Sequence, residues 1–325
     1  MTKNIFVTQA IEQYRLSGST STSDFENRVG YIPVERLSET AFIFVDMFRA
    51  TTTLGASIAA GCPAIFLDVK PTDGRHTLTP PVLLHQEWLF GGEENGLPIK
   101  GGVVNNSPLS IDSEVLRGRN LKFYSTNGAR ALRAILQARP GAVFLANAPN
   151  ADATADHCAR ANYAAYCIVN AGFYGSPALE DIWCGGRIAR RLCDRLGLAD
   201  DLIDDGARLM MNNFAAYRDN LALLTRHLLD AQVAHLLANI GRIEDVRASI
   251  DGTGMDPVLW GQMRRSVIQL RDVDGVPLLM LVEAGADPNH PASEAPNQTL
   301  RGIRGYAELR DLDRRAPCAA PTGAR

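Results

Sequence analysis

The stretch AFIFVDMFRATTTLGASIAAGC, residues 41–62, decides how the rest of the chain is read. AFIFV, residues 41–45, is an unbroken apolar run, which predicts a strand covered on both faces. TLGASIAAG has the composition of a helix, and Gly61 stands where a helix C-terminus favours glycine. Asp46, Arg49, Thr51, Thr52 and Thr53 lie at the handover. An acid, a base and three hydroxyls between a buried strand and a helix put chemistry where open α/β sheets bind ligands, beyond the strand's carboxyl end.

The same unit recurs downstream. AIFLDV (64–69), NLKFYS (120–125), AVFLANA (142–148) and YCIVNAG (166–172) predict further strands. Helical patterns follow the last three, with Ala131, Leu132, Ile135 and Leu136 at helical spacing in the first. Strands alternating with helices predict an α/β fold, with layered helices around a mixed, partly parallel sheet. Residues 205–240 read as mostly helical, and VIQLRDVDGVPLLMLV as one or two more strands. The polar, Ser/Thr-rich residues 1–35 read as irregular at least in part, the α/β domain as 36–290, and 291–325 as a polar tail. LLHQEWLFGGEENGLPIKGGVVNNSP reads as a short apolar piece followed by a long glycine-rich, polar loop.

Composition narrows the function. The 325 residues are 46% hydrophobic and 21% charged, ordinary values for a globular protein, and the net charge of -3 does not point to nucleic acid. No apolar run approaches the roughly 18 residues of a membrane span, and the N-terminal residues lack the apolar core of a secretion signal. Six cysteines form no CxxC pair and no zinc spacing, so buried thiols in a reducing cytoplasm are expected. The six histidines form no evident cluster. GxxxxGK[ST], GxGxxG and GxSxG are all absent.

Polar clusters follow several predicted strands. Beside the Asp46 group stand Thr126, Asn127 and Arg130 after the third strand, Asn147 and Asn150 after the fourth, and Glu180 and Asp181 after the fifth. Glu93, Asn105, Asn106 and Ser107 come from the glycine-rich stretch. Helix starts with free N–H donors and an arginine suit phosphate or carboxylate, and carboxylates among Asn and hydroxyl oxygens suit Mg²⁺. Each cluster singly is also what a helix cap or turn looks like, so the weight lies in their coincidence.

DMFRATTT, GGEENGL followed by NNSP, STNGARAL, NAPNADA and AGFYG followed by LEDIWCGG, in this order, resemble the 2-phosphosulfolactate phosphatase family from about residue 42 to 205. The resemblance implies a Mg²⁺-dependent phosphatase of small phosphorylated metabolites, and a homodimer agrees with base rates for such enzymes. It implies catalytic roles for Asp46, Arg49, Arg130 and Glu180, with both arginines on phosphoryl oxygens. It implies substrate contacts from Thr51, Thr52, Asn106, Ser107, Thr126, Asn127 and Asn150, and metal binding by Asp46, Glu93, Glu180 and Asp181. The chain departs from the family pattern at Glu94, Asn95, Val103, Asn105 and Ala129, and residues 250–266 read as an insertion. Glu94 replaces an arginine; inside the pocket it would repel a second anionic group. That departure motivates an alternative, a related hydrolase acting on another phosphorylated metabolite in secondary metabolism. A non-catalytic binding protein is the third reading, since DVDGVPLLMLVEAGADPN and ANIGRIEDV look like fragments of ankyrin repeats.

Overall fold

The computed structural model describes residues 4–9, 28–29, 32–68, 88–125, 128–137, 139–173, 176–199, 202–273 and 276–282. Its strands are β1 (Asn4–Gln9), β2 (Arg28–Val29), β3 (Ile32–Pro33), β4 (Thr40–Val45), β5 (Ile65–Asp68), β6 (Leu89–Glu94), β7 (Leu97–Pro98), β8 (Leu121–Tyr124), β9 (Ala142–Ala146), β10 (Ala165–Asn170), β11 (Ile268–Val273) and β12 (Val276–Leu281). Its helices are α1 (Ala50–Ala59), α2 (Ser113–Leu116), α3 (Gly128–Gln137), α4 (Ala151–Ala161), α5 (Leu179–Leu196), α6 (Asp205–Tyr217), α7 (Leu221–Leu229), α8 (Gln232–Asn239), α9 (Glu244–Asp251) and α10 (Pro257–Met263).

Ten strands form one mixed sheet in the order β1-β10-β4-β9-β11-β12-β5-β8-β6-β7. Two parallel blocks, β1-β10-β4-β9 and β5-β8-β6, flank the antiparallel hairpin β11-β12. That hairpin pairs antiparallel with β9 on one side and β5 on the other, so the two blocks run in opposite senses. Sheet twist of about 20–25° per strand accumulates to roughly 100–125° over the five steps from β4 to β8. A rotation of that size turns opposed strands toward one another and lets their carboxyl ends approach.

The layers follow from the pattern of β4. All six of its residues are buried. Ala41, Ile43 and Val45 face a core shared with α4, α5 and α6, while Phe42 and Phe44 face a second core with α1, α3 and α10. Small residues let α1 press onto β9: a Cβ on Gly55 would fall 2.5 Å from Asn147 Nδ2.

Three segments gain definition here. Asn4–Gln9, inside the segment read as partly irregular, is an edge strand paired along its whole length with β10. VIQLRDVDGVPLLMLV forms the two strands its pattern predicts, β11 and β12, at the centre of the sheet, so the rival reading of DVDGVPLLML as a repeat fragment does not hold for its described residues. The glycine-rich stretch holds β6 and β7, joined through Asn95 and Gly96. Asn95 has φ 53° and Gly96 φ 80°, the two positive values a tight hairpin turn demands and the Asn-Gly pair tolerates. Gly92, at φ 115°, has no room for a side chain: a Cβ would lie 2.0 Å from the Tyr124 carbonyl oxygen on β8.

Of the predicted insertion, the end of α9 and all of α10 are folded, and Leu259 and Met263 pack into the second core. The five cysteines among the described residues are free and buried, and burial pushes the Cys62 thiol up to about 12. No described helix is long and apolar enough to cross a membrane. The expected tail, residues 291–325, and the proline-bearing loop after β5 lie outside the described residues.

Candidate active site

The β4–α1 junction organises the site. Thr51 Oγ1 donates to the Asp46 carbonyl at 2.8 Å, and Thr52 Oγ1 donates to the Met47 carbonyl at 2.9 Å. Both threonines are fully buried, so their hydroxyls fold the junction rather than line an open pocket. The Asp46 carboxylate accepts weakly from the Ala50 N–H at 3.4 Å, the start of α1. On its other side lies the start of α3: a Cβ on Gly128 would sit 3.2 Å from Asp46 Oδ2 and 3.2 Å from Ala50 Cβ. Ser125 Oγ accepts the Gly128 N–H at 3.2 Å. The ends of β4 and β8, from opposite blocks, therefore meet at Asp46.

The start of α5 supplies the second and third acids. Asp181 accepts the Met47 N–H at 2.8 Å and the Gly172 N–H at 3.0 Å, and so holds the ends of β4 and β10 together. Glu180 is 2% exposed, and its Oε2 has no hydrogen-bond partner among the described residues. Burial pushes the Asp46 carboxyl up to about 6, with Glu93 adding and the Ala50 N–H and Arg49 opposing. Burial pushes Glu180 up to about 7, opposed by its own backbone N–H and reinforced by Asp46. Asp181 is held well above the ordinary range by burial and then by Glu180 and Asp46. The three acids thus repel one another in a shared low-dielectric space.

Arg49 is placed differently. Its Nη1 pairs with Asp245 Oδ2 at 2.8 Å, and its Nη2 donates to the Gly96 carbonyl at 2.9 Å. Asp245 Oδ1 accepts from Ser107 Oγ at 2.5 Å. Removing either partner of such a buried pair strands the other charge, at about 3–5 kcal/mol. Glu93 accepts the Gly96 N–H at 2.7 Å and so fastens the β6–β7 turn. Asn106 is nearly buried, and its Oδ1 has no partner among the described residues.

Asn147 and Asn150 close their own loop. Each accepts the other's backbone N–H, Asn147 Nδ2 donates to the Thr51 carbonyl, and Asn150 Nδ2 donates to the Leu145 carbonyl. Their amides hold the β9–α4 loop against α1 and leave little for a ligand. Glu94 is exposed while its neighbour Glu93 is buried, as strand alternation requires. The charge reversal at position 94 therefore falls on an exposed residue next to a buried acid. Thr126 and Asn127 and the Arg130 side chain lie outside the described residues.

Sequence reasoning missed Asp245. It sits in helical sequence, 196 residues from Arg49 and 138 from Ser107, and nothing near it marks a site. Among the described residues, no three His, Cys, Asp or Glu side chains meet in a group that could hold a metal ion.

The family model described as 2-phosphosulpholactate phosphatase matches residues 29–259. Among curated relatives, a probable 2-phosphosulfolactate phosphatase of Deinococcus radiodurans is 33% identical over 185 residues, covering 57% of this chain and 73% of the relative. One of Trichormus variabilis is 30% identical over 194 residues, covering 58% and 77%. One of Clostridium acetobutylicum is 29% identical over 165 residues, covering 51% and 68%. The match spans β4, β9, β10, the second parallel block, the acid cluster and the Asp245 helix, so the chain belongs to the 2-phosphosulfolactate phosphatase family, a family of phosphoric monoester hydrolases.

Proposed function

We propose that the protein hydrolyses a small anionic phosphomonoester with the help of Mg²⁺, at the meeting point of β4, α3 and α5. The observation that carries this reading is the position of the Asp46 carboxylate. It lies against the start of α3 and is electrostatically coupled to Glu180, whose Oε2 has no described partner. A helix start offers N–H donors to phosphoryl oxygens. Repelling, partly unpartnered carboxylates offer oxygens to a hard cation.

The donor set fits Mg²⁺, which keeps several waters and needs only one or two carboxylates. Asp46 and Glu180 would hold it. Asp181 and Glu93, each bonded to backbone N–H groups, would orient the segments that carry these ligands. When bound, the cation neutralises charge on a non-bridging phosphoryl oxygen. Arg49 has N–H donors beyond the two already used, and these would stabilise charge on the transferring group. The nucleophile is water or Asp46 itself; both chemistries need Asp46 ionised.

The test is phosphate release from a panel of sugar, nucleotide and hydroxyacid phosphates, in Mg²⁺ and in EDTA. Release that depends on Mg²⁺ and vanishes in Asp46→Asn supports the reading; full turnover by that variant ends it. The exposed position of Glu94 keeps 2-phosphosulfolactate among the substrates to try. A different phosphorylated metabolite is the second reading, and a panel in which 2-phosphosulfolactate is best by far would exclude it.

A further inference from the structure

We propose that Asp245 is a positioning residue of this site, acting through Arg49 and Ser107 without meeting the substrate. The proposal rests on the phosphatase reading above. Asp245 enters on α9 and is 1% exposed, and both its oxygens are engaged, Oδ2 by Arg49 Nη1 at 2.8 Å and Oδ1 by Ser107 Oγ at 2.5 Å. Arg49 in turn donates from Nη2 to the Gly96 carbonyl. One carboxylate thereby joins three segments that are far apart in sequence: the β4–α1 junction, the β6–β7 turn and the loop carrying Asn106.

Two chemical consequences follow. Ser107 gives its only proton to Asp245, so toward the site its oxygen offers lone pairs alone. Ser107 can therefore accept from a ligand hydroxyl or a bound water, and it cannot donate to a phosphoryl oxygen. Arg49 is planar and is fixed at two of its nitrogens, which sets the direction of its remaining N–H groups. Asp245 also balances the Arg49 charge. Arg49 already acts electrostatically on Asp46, and without Asp245 the guanidinium would be drawn toward that carboxylate. The acid on α9 keeps base and acid apart.

The experiment compares the full chain with Asp245→Asn, Asp245→Ala and Ser107→Ala. Amide hydrogen exchange across residues 93–107 is measured without ligand, with β9 and α4 as internal reference. Turnover of p-nitrophenyl phosphate gives kcat and KM. A positioning role predicts at least ten-fold faster exchange in 93–107 for both Asp245 variants, with β9 and α4 unchanged. It predicts kcat lower by ten- to a hundred-fold with KM changed less than three-fold, because alignment is lost while other contacts still bind the ester. Asp245→Asn keeps an acceptor for Ser107 and should recover part of the rate lost in Asp245→Ala. Unchanged kcat in Asp245→Ala overturns the proposal, whatever the exchange shows. If both Asp245 variants fail to fold, Ser107→Ala decides: wild-type kcat and wild-type exchange there also overturn it. A wild-type chain that releases no phosphate, while exchange in 93–107 still rises in Asp245→Asn, overturns the phosphatase reading and leaves the three-segment clamp standing.

Discussion

Asp46, Glu180 and Asp181 share one corner of the site, and among the described residues no ion pair joins any of them to lysine or arginine. Asp245 and Arg49, both buried, neutralise each other at 2.8 Å. The first group is costly in the metal-free protein, because burial and mutual repulsion hold its protons on. The second is matched in charge, and both oxygens of Asp245 are hydrogen-bonded. Strain in the first and balance in the second set the two groups apart, and the contrast can be tested from either side.

The largest expected effect comes from Asp46→Asn. Loss of a charge that faces the reacting group should lower kcat by about 10³-fold or more, in line with the removal of a key electrostatic contact. The amide can still accept the Ala50 N–H, so the variant should fold. At pH 8 in EDTA its melting temperature should equal or exceed that of the wild type, since one of three repelling carboxylates is gone. A variant that melts earlier there would mean that the acids are not in conflict.

The pH dependence of the metal-free protein comes next. The folded-state values of about 6 for Asp46 and about 7 for Glu180 lie above ordinary carboxylate values, so the native state binds more protons than the unfolded chain between about pH 4 and pH 7. Their contribution to stability is fully present below the ordinary range and is lost as pH rises through about 6 to 7. For Asp46 the loss is on the order of 3 kcal/mol. Denaturant melts in EDTA from pH 5 to pH 8 should show wild type losing more stability than Asp46→Asn, and Mg²⁺ should reduce the difference. Parallel curves for the two proteins would break the comparison.

A smaller effect is expected for Gly128→Ala. The added methyl would press on Asp46 Oδ2 at 3.2 Å and displace it by a few tenths of an ångström. Misalignment on that scale should cost about ten-fold in kcat, with little change in stability because alanine favours helix. The smallest effect is expected for Glu94→Arg, which restores the family residue at an exposed position. Turnover should change less than two-fold for any substrate, whereas a large selective gain for a doubly anionic ester would place residue 94 in the pocket after all.

Much of the fold was legible because its signals are local. The runs at residues 41–45, 142–146 and 165–170 are apolar on both faces, and each became a strand of the parallel block, with all residues buried. The hairpin at Asn95 and Gly96 was equally local, but its glycines were read as loop composition rather than as turn and contact positions. Asp46 and Glu180 stand out in the sequence because Asp46 lies between a strand and the helix that follows it and Glu180 in the first turn of such a helix. Thr51, Thr52 and Asn150 stand at similar places and are committed to backbone groups instead. Nothing in residue type separates the two outcomes, because a hydroxyl or amide that caps a turn and one that binds a ligand look alike until its partner is known.

By itself the sequence determined the alternation of strands and helices, the family, and the acids and hydroxyls at the strand ends, since all of these depend on neighbours a few residues apart. Tertiary structure alone decided that a late hairpin, β11-β12, would separate the two parallel blocks, and that Asp245 would reach back to Arg49 and Ser107. Pairing over 196 and 138 residues leaves no periodicity to read. It arises only when the twisted sheet brings distant loops together and a buried charge must find its counterion.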